Sequence, residues 1–570
     1  MRLRRLRHRW FLVGLGVVLS LLLSAHGAQG GDPRGAWTSN AFQILNVEPV
    51  PQTFTARFLA PDGQVVGVMT DTLPAGAARF YPDETLPIPP TFTGTLAVSA
   101  PGQVALEILH LGTITGGNTI LEVLPEGAVD TVAHTPIDRC TVLLIHNLSP
   151  TDTAIVDLQA FGADGTSAGM RTDYIPPEGL LRVHPLAALG LPPDFAGSAV
   201  LHTGRPIQVT VLSICGGLSA FVAPSAGSTR LLAPHLPSSI PGRVTATLTI
   251  RNTGTTVAEG EVIFASGITL PLTLPPAGSV SLTSPAAYFI YLPLVIQGGA
   301  GGGNVRFPAA AVPPSSFSAI ISTTVPVVAV AQVTDSRAGG GSLAYRTFAL
   351  ERASPAVALP ILFAGYEGWW TGNRIWIRNV GEQPTDVQMR YVTVPTGTAV
   401  WGDLPGLGPG ETAQVSMPPL PDGADRAAAI LLADQPIVAL AGAFNTAPSM
   451  QDRHLLYPGT NFAFNCIRIE EADFTWSPLT ATVGQAVAFT GVVSPAEATT
   501  PIFYSWSFGD GTYGTGDYVQ HTYGQAGTYV VAMTATNCLG FGQAVARYTL
   551  TVAPPARLLS SYAVLPPTGP

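Results

Sequence analysis

One local pattern occurs four times in this chain, and it constrains the fold more than any other feature. An alternating strand runs into an asparagine: FQILNV at Asn46, TVLLIHNLS at Asn147, ATLTIRNTG at Asn252 and RIWIRNVG at Asn379. Each is followed by a second alternating strand, then by a Pro/Gly turn beginning at Leu73, Ile175, Leu274 or Leu407, and then by two closing strands around a short turn. Period-2 alternation leaves each strand with one apolar face, and two such faces must pack together to make a core. The expected fold class is therefore all-β, a row of tandem β-sandwiches. Successive marker asparagines are 101, 105 and 127 residues apart, which suits sandwiches of about 100 residues each. The widest interval contains an insertion, YFIYLPLVIQGGAGGGN, whose glycine run reads as a flexible tip. The predicted repeats span 35–135, 136–235, 236–350 and 351–464, followed by a distinct domain at 465–554 and a Pro-rich tail at 555–570. A single helical turn is expected near Leu186. The marker asparagine itself reads as a strand terminator, because Asn tolerates left-handed backbone and bonds its own main chain.

The N-terminus carries five arginines ahead of an apolar run from about Phe11 to Leu23, followed by the small residues Ala25 and Gly27. This is the pattern of a secretory signal peptide, residues 1–27, cut after Gly27. The run is shorter than the roughly 20 residues a spanning helix needs, so no membrane insertion is expected after cleavage. The mature protein is expected to be secreted, extracellular or at the cell surface. Cleavage moves the formal charge from −9 to −14, because 22 arginines then face 36 acidic residues. Such a surface does not attract phosphate backbones, which argues against nucleic acid as a partner.

Every basic residue is arginine; the sequence has no lysine. That excludes P-loop, Schiff-base and Lys–Asn isopeptide chemistry. Four cysteines, Cys140, Cys215, Cys466 and Cys538, are spaced too widely for a zinc site and read as disulfides in an exported chain. The domain boundaries select Cys140 with Cys215 and Cys466 with Cys538, each pair bracketing one sandwich.

From Ala472 the marker pattern stops and a different set of motifs begins: VGQAVAFT, YSWSFGDGT, HTYGQAGTYVV and ATN. Trp506 and Phe508 alternate with serines, which places two large rings on one buried face. Gly509 and Gly511 supply positive φ on both sides of the turn-forming Asp510. In order and spacing these motifs resemble the polycystic-kidney-disease (PKD) domain family over residues 472–553. The resemblance implies a seven-stranded immunoglobulin-like sandwich whose structural motif comprises Trp506, Phe508, Gly509, Asp510, Gly511, His521, Tyr523, Gly527, Tyr529 and Asn537. Tyr529, in Gly527-Thr528-Tyr529, is expected to form a tyrosine corner with a buried phenol bonded back to the chain.

Sharper chemistry for this cluster finds little support. Asp510 and Asp517 could hold calcium, but the EF-hand spacing and its terminal Glu are missing. His521 beside Asp517 could be half of a catalytic pair, yet no nucleophile elbow or third partner accompanies it. The glycine run from Gly298 lacks the strand, helix and Lys of a phosphate loop. Leu565–Gly569 resembles a sortase motif without its apolar segment and basic tail. No cofactor and no metal site is expected. The reading is a non-catalytic protein contacting a surface protein or polysaccharide, as an adhesion or scaffold component. The alternatives are an extracellular hydrolase with an accessory PKD-like domain, or a subunit of a surface assembly.

Overall fold

The computed structural model describes residues 15–21, 38–89, 92, 94–112, 117–122, 131–214, 219–236, 244–264, 269–283, 305–306, 317–335, 342–365, 370–445 and 454–555. The chain is almost entirely β-structure and divides into two compact units, Met1–Phe464 and Asn465–Pro570. The division falls at the expected 464/465 boundary. The expected turn near Leu186 is a short helix, Pro185–Leu189, entered by Pro185 and stopped by Gly190 in left-handed conformation. No helix among the described residues is long and apolar enough to cross a membrane. The Gly-rich insertion from Tyr288 to Asn304, Cys215, the tail from Ala556 and most of the expected signal peptide lie outside the described residues.

All four repeats in the first unit share one strand order. In repeat 2, one sheet runs Ser167–Ile175, Ala154–Phe161, Gly197–Thr203, Val132–Ile137, and the facing sheet runs Leu180–Val183, Thr141–Asn147, Ile207–Ser213, Ser219–Val222. Repeat 1 has the same two orders. In repeats 3 and 4 the two closing strands fuse into one long strand, Phe317–Asp335 or Arg426–Asn445, whose two halves pair with different neighbours and so join the two layers into one continuous sheet. Each repeat also has a leading strand ahead of its marker strand: Leu15–Leu21, Val132–Ile137, Ser228–Leu236 and Ser354–Phe363. The expected boundaries at 135/136 and 235/236 fall inside two of these leading strands.

The marker asparagines end their strands, but by another mechanism than left-handed backbone. Asn46, Asn147, Asn252 and Asn379 are completely buried. The Asn252 amide donates to the carbonyls of Thr256, Leu274 and Pro275 at 2.7, 3.1 and 3.0 Å, while its Oδ1 accepts the Gly254 N–H at 2.8 Å. Asn46 and Asn147 make the equivalent four bonds. Each side chain therefore pins the Pro/Gly turn to the end of the marker strand, satisfying buried carbonyls that would otherwise be costly. The left-handed residue sits in the turn itself: Gly76, Glu178, Ala277 and Gly410.

Beyond the sandwich row, the repeats close on one another. Repeat 1 meets repeat 2 through Arg57 and Glu178, with an N–O distance of 2.5 Å. Repeat 2 meets repeat 3 where Arg251 approaches His134 at 3.1 Å, and repeat 3 meets repeat 4 where His235 stacks on Trp376 at 4.1 Å. Repeat 4 returns to repeat 1: Gln43 donates to the carbonyls of Pro360 and Ala427 at 2.5 and 3.0 Å, and Arg390 donates to that of Gly76 at 2.8 Å. The last strands of the repeats, Gly117–Glu122, Ser219–Val222, Ser342–Arg346 and His454–Pro458, touch cyclically. The apolar cores join in the same sense, so Val142 and Leu144 of repeat 2 lie in the core of repeat 1, and Ala41 of repeat 1 lies in that of repeat 4.

Candidate functional site

The C-terminal unit is a two-sheet sandwich. Trp506 and Phe508 are both buried, and the Trp506 indole N–H donates to the Gly516 carbonyl at 2.8 Å. Gly509 and Gly511 have φ of +82° and +89°, the conformation expected of the turn around Asp510. A side chain at Gly509 would collide with the Val530 backbone, so its freedom from a Cβ is used twice.

Asp510 is the hub of this turn. One carboxylate oxygen accepts the Thr512 N–H at 3.0 Å and its hydroxyl at 2.5 Å, and the other lies 2.7 Å from Nε2 of His521. Partial burial works against the anion, but the bonds from Thr512 and His521 outweigh it and hold the carboxyl below its ordinary value. His521 therefore pairs with Asp510, not with the sequence-adjacent Asp517, because residue 521 stands on a strand facing the turn. Its ring stacks on Phe508 at 4.2 Å with an interplanar angle of 7°. With one ring face stacked on Phe508, an edge contact to Tyr523 at 4.6 Å and Nε2 engaged by Asp510, the pair braces the turn. Among the described residues no group of three His, Cys, Asp or Glu side chains could hold a metal ion.

The expected tyrosine corner divides between two residues. Tyr529 bonds back to the Gln525 carbonyl at 2.9 Å but is only half-buried. The fully buried phenol belongs to Tyr523, which donates to the Phe508 carbonyl at 3.1 Å. The alternating exposure of the strand places Tyr529 at the sandwich edge, where its ring covers that of Tyr523 at 4.4 Å. Gly527 begins the long strand Gly527–Asn537, at whose far end Cys538 is joined to Cys466. Asn537 repeats the clamp of the first unit: it donates to the carbonyls of Ile467 and Thr499 and accepts the Ile469 N–H. Cys140 is also disulfide-bonded, and its expected partner Cys215 lies outside the described residues.

A cleft between repeats 2 and 3 was not anticipated from sequence. It encloses about 340 Å³; Thr247, Thr249, Ser281, Thr283 and Gln332 from repeat 3 face Thr141 and Ser213 from repeat 2, and apolar residues that include Val211, Leu212, Phe221, Val280 and Val330 make up much of the remaining wall. Asp138 is the one ionisable side chain among its described lining residues. That carboxylate already accepts the Cys140 N–H at 2.9 Å and the Thr141 hydroxyl at 2.8 Å. Acid–base hydrolysis needs a second titratable group within reach, and the rest of the described lining is hydroxyl, amide and apolar. A row of outward Thr and Ser on a marker strand looks in sequence like any solvent-facing strand face, which is why the cleft was not legible there.

These features define the C-terminal unit as an immunoglobulin-like sandwich with a disulfide at one end. Residues 451–552 match the PKD domain family. No curated protein matches the chain in sequence. Among solved structures, the PKD domain from human VPS10 domain-containing receptor SorCS2 is 19% identical over 17% of this chain and 85% of that chain, with a TM-score of 0.16. The amphioxus IgVJ-C2 molecule is 14% identical over 30% and 97% of the two chains, with a TM-score of 0.13. The full ectodomain (Ig1–Ig3) of mouse nectin-like molecule 4 is 14% identical over 56% and 97%, with a TM-score of 0.13.

Proposed function

We propose that the protein is a non-catalytic extracellular adhesion or scaffold component that binds a neutral surface polysaccharide. The observation that carries this reading is the cleft between repeats 2 and 3, whose wall combines hydroxyl and amide groups with apolar side chains. Neutral sugars are recognised by many short polar groups on a fixed frame, and a cleft walled by two packed sandwiches supplies these without flexible side chains. The one carboxylate among its described lining residues accepts a backbone and a hydroxyl bond at Oδ1, which favours binding over hydrolysis. The disulfide between Cys466 and Cys538 and the PKD domain are in keeping with an oxidising, extracellular setting.

The test is an array of the mature protein against wall glycans, capsular polysaccharides and the producer's own surface fraction, with Thr249→Trp as the cleft-filling variant. Binding by the wild type and at least a tenfold loss in the variant supports the assignment. Hydrolysis that survives repurification and disappears in Asp138→Asn would replace it with the enzyme reading.

A further inference from the structure

The four junctions between repeats follow one plan, and three of them are filled. The residue three places before each marker asparagine is Gln43, Leu144, Thr249 or Trp376. Leu144 lies within the core of repeat 1, Trp376 lies within that of repeat 3, and the Gln43 amide donates to two carbonyls of repeat 4. Thr249 is the exception. Its side chain is too short to reach across, and the cleft of about 340 Å³ opens against it.

The filled junction between repeats 3 and 4 shows what shape completes the open one. There the Trp376 indole is 4% exposed and stacks on His235 at 4.1 Å. Corresponding residues surround Thr249. Ile137 follows Pro136 as His235 follows Pro234, and Phe221 lies opposite Val211 as Tyr345 lies opposite Ala331. Ile137 and Phe221 both line the cleft. A flat ring resting on Ile137, as Trp376 rests on His235, therefore matches the space.

The chemistry of the wall narrows which ring. Ile137, Val211 and Phe221 of repeat 2 belong to one apolar core, and Val330 of repeat 3 packs into that same core at the margin. The hydroxyls are grouped on the sheet of repeat 3: Thr249 is paired across strands with Ser281, their oxygens 3.0 Å apart, and Thr247 with Thr283 and Gln332. An aromatic ring would suit the apolar half and displace water from the hydroxyl half without replacing its bonds. A pyranose with every hydroxyl equatorial presents C–H groups on both faces and meets the same difficulty. One axial hydroxyl, as at carbon 4 of galactose, makes the faces unlike, with a run of C–H groups on one and an O–H on the other.

We infer that the cleft takes a pyranose of the galactose type, its C–H face on Ile137 and Phe221 and its axial hydroxyl on Thr249 and Ser281. This rests on the reading of the cleft as a neutral-sugar site and adds which sugar it prefers. Discrimination comes from the hydroxyl half, because a site built to hydrogen-bond a ligand hydroxyl disfavours the analogue that places none there.

The purified protein is titrated with methyl β-galactopyranoside and methyl β-glucopyranoside by ligand-observed NMR, and both titrations are repeated on Thr249→Val, Thr249→Ser and Thr249→Trp, with the folding of each variant checked by its urea midpoint. The galactoside should bind more tightly than the glucoside by roughly tenfold or more. Thr249→Val, which keeps the shape of threonine without its hydroxyl, should bring that ratio under about threefold, while Thr249→Ser keeps it. Thr249→Trp should abolish binding of both sugars. Equal affinities in the wild type, or a ratio unchanged in Thr249→Val, would overturn the galactose assignment, and the cleft reading would survive if Thr249→Trp still abolishes binding. Failure of both glycosides to bind a protein that does bind neutral glycans on the array would also overturn it. Absence of binding to any neutral glycan would remove both readings.

Discussion

Nη1 of Arg251 lies 3.1 Å from Nδ1 of His134 across the boundary between repeats 2 and 3, with no carboxylate between them. Arg251 can only donate, so His134 accepts at Nδ1 and is held neutral. Burial, reinforced by the Arg251 charge, pushes the imidazole down to about 3, and burial pushes the guanidinium down to about 10. Two further histidines near repeat boundaries behave alike. Burial takes His146, which contacts the Glu178 carbonyl at 3.0 Å, to about 4, and His235, stacked on Trp376, also to about 4.

The first unit should therefore lose stability in acid. An unfolded histidine titrates near 6.5, so between about pH 6.5 and 4 the unfolded chain binds protons that the folded one refuses. Each such group contributes a slope of up to about 1.4 kcal/mol per pH unit, with the stability present above pH 6.5 and lost as pH falls. Urea midpoints at pH 7.5, 6 and 5 should fall steeply, and His134→Gln should flatten the dependence. Equal midpoints at pH 7.5 and 5 would mean that these rings reach solvent protons in the folded state.

Replacing a marker asparagine should cost more than the loss of a turn residue. Asn252→Ala removes three donated bonds and one accepted bond inside the core and strands the carbonyls of Leu274 and Pro275. About 3 to 5 kcal/mol is expected, from a penalty of about 1 to 3 kcal/mol for each buried group left unpaired. Asn252→Asp should be at least as damaging, because an anion would face carbonyl oxygens. Calorimetry of both variants checks the order, and a change under 1 kcal/mol for either would return Asn252 to a mere strand terminator.

The sandwich repeats were legible because alternation, the asparagine and the Pro/Gly turn recur with the chain. Closure of the four repeats was not, because its contacts come from chemically unlike side chains at differing places on the marker strands. Gln43, Arg251 and Trp376 all lie on marker strands and all reach the preceding repeat, yet one donates an amide, one a guanidinium and one stacks a ring. Only Arg251 has a counterpart of its own kind at the same place, Arg378, which donates to Ser318 of the preceding repeat. The PKD turn was read correctly in its glycines and rings, which are local demands of φ and burial. The partner of His521 was missed because Asp510, eleven residues away, is brought opposite it only by the strand that follows the turn.

Ala277 offers a gain. It holds a φ of +58° at the position occupied by Gly76 in repeat 1 and Gly410 in repeat 4. A left-handed alanine costs roughly 1 kcal/mol, partly offset by the extra freedom that glycine brings to the unfolded chain. Ala277→Gly should stabilise the first unit by about 0.5 kcal/mol, read as a higher urea midpoint with unchanged slope. A lower midpoint would show that contacts of the methyl group outweigh its strain.

In the PKD domain, rings and turn should separate in energy. Trp506 is 1% exposed, packs against Phe474 and Phe489 at ring distances of 5.1 and 5.7 Å, and donates to Gly516. Trp506→Ala should cost about 3 to 5 kcal/mol and unfold this domain while the first unit keeps its own transition. Asp510→Ala removes the bonds to Thr512 and His521 at a mostly exposed corner and should cost about 1 to 2 kcal/mol. His521→Phe keeps the stack on Phe508 and loses the bond to Asp510 and the longer contact with the Thr512 hydroxyl, while the Thr512 bonds to Asp510 remain, so it should cost less than Asp510→Ala. The three are compared by thermal unfolding with and without calcium. If Asp510→Ala exceeds Trp506→Ala, and the wild type needs calcium to reach its midpoint, then Asp510 serves a bound cation and not the turn.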